Sequence, residues 1–400
     1  MEALSERIKM LSESETLAMT RKSRELRAKG YDVINLSIGE PDFNTPEFIK
    51  DAAHAAIDQN KTHYPPVPGY PELRQAIAEK FKRDNGLDYS PDQIIVSGGA
   101  KHSIANVMMC LVNKGDEVIV PAPYWVSYKE IIKLAEGTAV VVDASLENDF
   151  KVTAEQIEAA ITPRTKVLIY SSPCNPTGSV YSKDELEAIA RVIAAHENIY
   201  IISDEIYELI RFEGTHESIA QFDFIKDRVI TINGVSKGFA MTGWRVGYLA
   251  APLEIARACD KLQGQVTSAT CSISQYASIA AMNCDPATNK DVRKMVATFE
   301  ERRQLVYGLL EEVPGFRNNM PEGAFYFFPN VTAYYGKKFG DAEMKNSSDL
   351  CMYLLNHAHV ALVPGDAFGN PDCIRISYAT SKKLLITAIT RISDALAELK

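Results

Sequence analysis

Residues 166–207 read KVLIYSSPCNPTGSVYSKDELEAIARVIAAHENIYIISDEIY, and this stretch decides the fold. KVLIY (166–170) and IYII (199–202) are short, continuously apolar, β-branched runs, the pattern of strands buried on both faces. Between them, residues 182–195 repeat apolar side chains at helical spacing. Strand, helix and strand in close succession form a crossover unit, which joins parallel strands. Similar runs lie on either side: IIV (94–96), EVIV (117–120), AVVV (139–142) and VITI (229–232). Helix candidates fall at 46–59, 71–84, 101–112, 125–135 and 154–161. The second has Pro71 near its start and Gly86 just past its end, a helix's usual punctuation. The alternation predicts an α/β domain over 46–285, a mostly parallel sheet sandwiched by helices.

Beyond residue 285 the texture changes. A long charged helix over 288–312 is ended by Pro314-Gly315. Strands at 325–328, 360–363 and 373–378 and helices at 347–357 and 381–398 predict a smaller α+β C-terminal domain, 286–400. Residues 1–45 hold one helix and the segment VINLSIGEPDF (33–43). They are too short for a domain and are expected to join the C-terminal one or a neighbouring subunit.

Composition narrows the function. Forty-three Lys plus Arg against 52 Asp plus Glu give a net charge of −9, which repels phosphate backbones and argues against a nucleic-acid partner. A local cationic pocket for a small anion is still allowed, because the global charge is screened beyond about 8 Å. No apolar run approaches the length of a membrane span. The start, MEALSERIKML, lacks an apolar leader. Seven cysteines, an odd number without Cys-x-x-Cys, argue against a disulfide framework or a zinc site. No His-x-x-x-His pair occurs, and His357 and His359 would point apart on a helix. The expectation is a cytoplasmic protein without a metal.

In a parallel sheet, ligands bind beyond the carboxyl ends of the strands. After IIV come Ser97-Gly98-Gly99-Ala100-Lys101, opening a helix. Small residues there admit a ligand to free backbone N–H groups, a phosphate cradle; alone, a Gly-Gly pair before a helix is more often just a turn. After KVLIY, the rigid SSPCNPTG loop aims Asn175. After IYII come Asp204 and, three residues on, Tyr207; alone, the acid could be a helix cap. After VITI come Asn233-Gly234-Val235-Ser236-Lys237, and then Arg245. Together these suit one ligand, pyridoxal 5′-phosphate. Asp204 would keep its ring nitrogen protonated, Asn175 and Tyr207 would hold its phenolic oxygen, Arg245 would pair with its phosphate, and Lys237 would form the Schiff base. A free lysine has a pKa of about 10.4. Desolvation and a nearby arginine would lower it toward the nucleophilic amine.

The whole chain resembles the class-I pyridoxal-phosphate aminotransferases of fold type I, especially the bacterial aspartate aminotransferases of subgroup Ib. The resemblance rests on LSIGEPDF (36–43), KTHYPPVPGYPELR (61–74), PYWVSY (123–128), SSPCNPTG (171–178), SDEIYE (203–208), SKGFAMTGWRVGY (236–248), PEGAFY (321–326) and RISYATS (375–381). It implies that Gly99, Ala100, Lys101, Ser236 and Arg245 surround the phosphate and that Trp125 stacks on the ring. Lys237 would be the catalytic residue. Tyr64 would reach the phosphate of the neighbouring subunit, making a homodimer with shared active sites. Arg375 would grip the substrate α-carboxylate, and Gly39 would close over it, with Trp125 and Asn175 beside it. Lys101 resembles a residue of dicarboxylate users, which favours aspartate as amino donor and 2-oxoglutarate as acceptor.

Two positions depart from the pattern. Gly234 stands where many relatives carry a hydroxyl, and Cys174 where many carry another small or polar residue. Relatives that accept prephenate tend to have a basic residue in the N-terminal segment; here that region holds Ser12, Glu13 and Ser14. Prephenate, aromatic amino acids and alanine are the alternative substrates, and a lyase or decarboxylase is the alternative chemistry. A non-catalytic regulator on this fold would need an added DNA-binding domain, for which a pattern running from residue 36 to residue 400 leaves no room.

Overall fold

The structure, a computed structural model, describes residues 3–13 and 15–400, without the side chains of 15–17. A seven-stranded sheet occupies its centre. The strands are β1 (Ile94–Ser97), β2 (Glu117–Ala122), β3 (Thr138–Asp143), β4 (Thr165–Ser171), β5 (Tyr200–Asp204), β6 (Val229–Gly234) and β7 (Gly247–Ala250). Their spatial order is β1-β7-β6-β5-β4-β2-β3. All neighbours are parallel except β7, which runs against both β1 and β6. Because β7 is reversed, β1 and β6 point the same way. Ser97 and Gly234 therefore end at one edge, where the chain also enters β7 at Gly247.

Successive residues of a strand face opposite sides. Ile94 and Val96 join one apolar cluster while Ile95 joins the other; Ile119 and its neighbours Val118 and Val120 divide likewise. Helices cover both faces and have readable caps. Gly86 ends the helix Pro71–Asn85 in the left-handed conformation. Thr153 with Gln156 and Ser182 with Glu185 form capping boxes for Ala154–Ala160 and Lys183–Ala194.

A third apolar cluster gathers the chain's two ends. Met19, Val33, Ile34 and Leu36 pack with Phe299, Val306, Phe325, Ile376 and Ile392. Ile34–Asn35 pairs in parallel with Val360–Ala361. The strand expected over 360–363 is divided: Val360–Ala361 pairs with the N-terminal segment, while Val363–Pro364 turns to pair with Ile374–Ser377. Among the described residues of 1–45 there are two helices, Glu6–Lys9 and Glu15–Ala28, instead of one. The sequence pattern also did not predict β7 or the helices Leu253–Val266 and Ser272–Asn283.

Candidate active site

A cavity of about 310 Å³ opens at the carboxyl edge of the sheet. The register explains its position, since β4 and β5 pair Ser171 with Asp204 at their ends, and Asp204 in turn pairs with Ile232 of β6. Of the residues singled out from sequence, Gly39, Ala100, Lys101, Trp125, Asn175, Asp204 and Tyr207 line the cavity, as do Ser236, Lys237, Arg245 and Arg375. Gly99 is not among the lining residues but precedes Ala100, which is. Tyr64 is not among them: it is 97% exposed, on the surface of the chain.

One end of the cavity is built from backbone. Ala100 begins the helix Ala100–Leu111, with Gly99 at its N-cap at φ +98°. A side chain at Gly99 would crowd the Arg245 guanidinium, with Cζ at 3.0 Å from its Cβ. Arg245 donates to Thr242 O at 2.8 Å and Gly98 O at 3.1 Å, so its guanidinium is fixed over the helix N-terminus. Helix N–H groups and a guanidinium facing one small space bind an oxyanion. The Lys101 ammonium lies 4.9 Å from the Trp125 ring, and burial with the Arg245 charge lowers its pKa.

Lys237 stands at the middle. Its Nζ donates to Gly39 O at 2.6 Å. Burial first, and the Arg375 charge second, bring its pKa down to about 8. Asp204 is buried, accepting from Tyr128 Oη at 2.7 Å and from Ile206 N at 3.3 Å. Burial pushes its carboxyl up to about 6 against the opposing pull of those hydrogen bonds. A cationic ring nitrogen beside it would restore the carboxylate.

Arg375 marks the other end. It is 2% exposed, donates to Asn175 Oδ1 at 2.9 Å and Ser37 O at 2.6 Å, and its Nε has no partner. Tyr326 and Phe368 hold its guanidinium at 4.5 and 5.0 Å from their ring centres. Both of its hydrogen-bond partners are neutral oxygens, not carboxylates. Tyr207 Oη meets Tyr326 Oη at 2.7 Å. Gly39 is forced, because a Cβ there would lie 2.6 Å from Tyr326 Oη.

Sequence reasoning passed over Tyr128 and Tyr326, although both lie in quoted motifs. Spacing could have found Tyr128, one helical turn beyond Trp125. It also passed over the buried charges behind Asp204. There Glu205, Glu208 and His216 bring donor atoms within 4.8 Å of one another. Glu208 is already paired with Lys80, while Glu205 accepts from Ser203, Ser218 and His216, so these groups compensate one another. The missing hydroxyl at Gly234 has a steric reason: a Cβ there would stand 2.9 Å from both Gly247 Cα and Val246 O of the antiparallel neighbour. Cys174 Sγ lies 3.6 Å from Pro123 O and does not line the cavity. In the N-terminal segment, Glu13 pairs with Arg21 and Ser12 N donates to Glu130, while Ser14 lies outside the described residues.

The donor set fits pyridoxal phosphate: an oxyanion cradle whose glycine a side chain would fill, a buried acid, a lysine near neutrality, and an orphaned guanidinium nitrogen. Comparison with known proteins gives the family. A family profile described as aminotransferase class I and II matches residues 31–392. An aspartate aminotransferase of Bacillus sp. YM-2 is 48% identical over 98% of each chain. An aspartate/prephenate aminotransferase of Cereibacter sphaeroides is 46% identical over 97% of each chain. Among solved structures, the aspartate aminotransferase of Rhizobium meliloti superposes with a TM-score of 0.95 at 42% identity, over 99% of both chains. That of Thermus thermophilus with maleate gives 0.93 at 40% identity, covering 99% of this chain and all of the other.

Proposed function

The chain belongs to the class I and II aminotransferase family, and we propose that it transfers the amino group of L-aspartate to 2-oxoglutarate with pyridoxal phosphate, as a cytoplasmic homodimer. The observation that carries this reading is Arg375. A guanidinium buried without an anion is costly, and a substrate carboxylate would complete it in a bidentate pair.

In this reading the cofactor, when bound, withdraws electrons from the substrate Cα. Gly99, Ala100, Ser236 and Arg245 would hold its phosphate, Trp125 would lie over its ring, and Asp204, oriented by Tyr128, would keep its ring nitrogen protonated. Asn175, whose Oδ1 accepts from Arg375, would have its Nδ2 left to donate to the phenolic oxygen. Tyr207 reaches the same oxygen. Lys237 Nζ takes the proton from the substrate Cα, which a pKa of about 8 permits near neutrality. Arg375 orients the α-carboxylate and Gly39 leaves room for it. Lys101 meets the distal carboxylate, and relatives named for aspartate, with the maleate complex of one of them, support a dicarboxylate there. Tyr64 serves the partner's phosphate.

Product analysis tests the reaction. Aspartate with 2-oxoglutarate should yield oxaloacetate and glutamate in equal amounts. Release of ammonia or carbon dioxide would instead assign a lyase or decarboxylase. Prephenate as acceptor with aspartate measures the alternative carried in the Cereibacter relative's name.

A further inference from the structure

Tyr64 presents a physical puzzle. It is 97% exposed, yet the loop bearing it is anchored on both sides by buried polar groups. On the N-terminal side, Ser272 Oγ donates to Lys61 O at 2.7 Å. On the other, Gln263 Nε2 donates to Val67 O at 2.8 Å, Val96 N donates to Pro68 O at 3.0 Å, and Tyr70 N donates to Gln275 Oε1 at 2.9 Å. Both glutamines are fully buried. Buried amides are costly unless satisfied, and a solvated surface loop needs none of them.

Gln263 spends its whole hydrogen-bonding capacity at this point. Its Nε2 donates to Val67 O and also to Val96 O at 2.9 Å. Its Oε1 accepts from Ser97 Oγ at 2.7 Å and Asn106 Nδ2 at 3.0 Å. Ser97 is the last residue before the Gly98-Gly99 turn of the oxyanion cradle, and Asn106 is on the helix that the cradle opens. One amide therefore fixes the Tyr64 loop and the cradle's supporting elements to each other. Gln275 makes a second link: its Nε2 donates to Thr270 O at 3.0 Å, and Thr270 Oγ1 donates to Arg245 O at 3.0 Å. Gly69 (φ +101°) lets the loop lie against Val96, whose Cγ2 would be 2.7 Å from an added Cβ.

We propose that Gln263 and Gln275 are positioning residues that aim Tyr64 into the partner subunit's phosphate site while bracing the protomer's own cradle, so that the two sites of the dimer are mechanically joined through each protomer. This rests on the reading above of a homodimer with shared sites. Each glutamine then acts on two active sites, its own through Ser97 or Arg245 and the partner's through Tyr64.

Hybrid dimers separate the two effects. One protomer carries Lys237→Ala with Gln263→Leu; its partner is wild type. The only lysine-bearing site then has an intact cradle of its own, and its Tyr64 comes from the altered protomer. The readout is the dissociation constant for pyridoxal phosphate, titrated by the absorption of the lysine-bound cofactor. The expected result is a weakening of about tenfold, equal to that of a hybrid whose Lys237→Ala protomer carries Tyr64→Phe, for loss of one hydrogen bond to a charged group. An unchanged constant in the Gln263 hybrid, with the Tyr64 hybrid weakened, would overturn the proposal and leave the shared-site reading standing. An unchanged Tyr64 hybrid would remove the shared site, and the proposal with it. Where Gln263→Leu prevents folding, Gln275→Leu in the same hybrid is read by the same criteria, since its amide hydrogen-bonds only Tyr70 N and Thr270 O among the described residues.

Discussion

The two ends of the cavity are made in opposite ways. The cradle end is local and backbone-built: Ser97 ends one strand and Gly99 and Ala100 follow it, while Arg245 enters at the same edge because β7 pairs with β1 and β6. The Arg375 end is assembled by side chains from distant parts of the chain. Arg375 meets Asn175 and Ser37, which are 200 and 338 positions away. The first exists wherever the central sheet exists; the second requires the chain's two termini to be packed over it. Cofactor retention and substrate capture should therefore fail separately, with Lys237 between them serving both.

The largest effect is expected at that junction. Lys237→Ala should reduce turnover by at least about 10⁴-fold, measured as oxaloacetate formed, because it removes both the covalent anchor and the base. Comparable turnover in this variant would end the distinction, since neither end would then feed a common centre. Arg375→Ala should lower kcat/KM for aspartate by about 10²–10³-fold while the affinity for pyridoxal phosphate stays unchanged. Equal loss of both would show that the ends are not independent. Gly99→Ala should do the reverse, because φ +98° and the crowding of Arg245 penalise a side chain there. About a tenfold weaker cofactor affinity is expected, with KM for aspartate kept.

The smallest effect is a pH dependence. Only the unprotonated amine attacks, so capture of pyridoxal phosphate by the apoenzyme should speed up as pH rises through the Lys237 pKa of about 8. Stopped-flow absorbance at a series of pH values measures the midpoint. Arg375→Ala should move it upward, because the arginine's charge is one of the causes holding that pKa down. A midpoint indifferent to Arg375 would sharpen the comparison by separating the two ends electrostatically as well.

The same contrast explains what could be read from sequence. Gly99, Ala100 and Ser236 each come just after an apolar strand run, so position in the chain already implied position at the sheet edge; Arg245 instead precedes β7 and reaches that edge only through the pairing of β7. The order of the strands was less legible, because β7 is four residues long and its antiparallel direction leaves no mark in the hydrophobic pattern. Ser272–Asn283 was missed because its Ser and Ala residues, buried between neighbours, produce no clear apolar stripe. Arg375 could be assigned only through family resemblance: no local pattern announces that a charged strand residue will be buried against Ser37 and Asn175. Tyr326 was silent for the same reason. Gly234 gained its explanation only from the pairing of β6 with β7, since the atoms that exclude a side chain there come from the adjacent strand.

The most direct test of the account is the visible absorption spectrum of the purified holoprotein, before and after L-aspartate alone and then after 2-oxoglutarate. The account predicts that the band of lysine-bound cofactor fades with aspartate and returns with 2-oxoglutarate, since Lys237 and Arg375 must act on one substrate in one cavity. A band that aspartate leaves unmoved would contradict the assignment of the Arg375 end to this dicarboxylate. No band at all after incubation with pyridoxal phosphate would contradict the site built on Lys237.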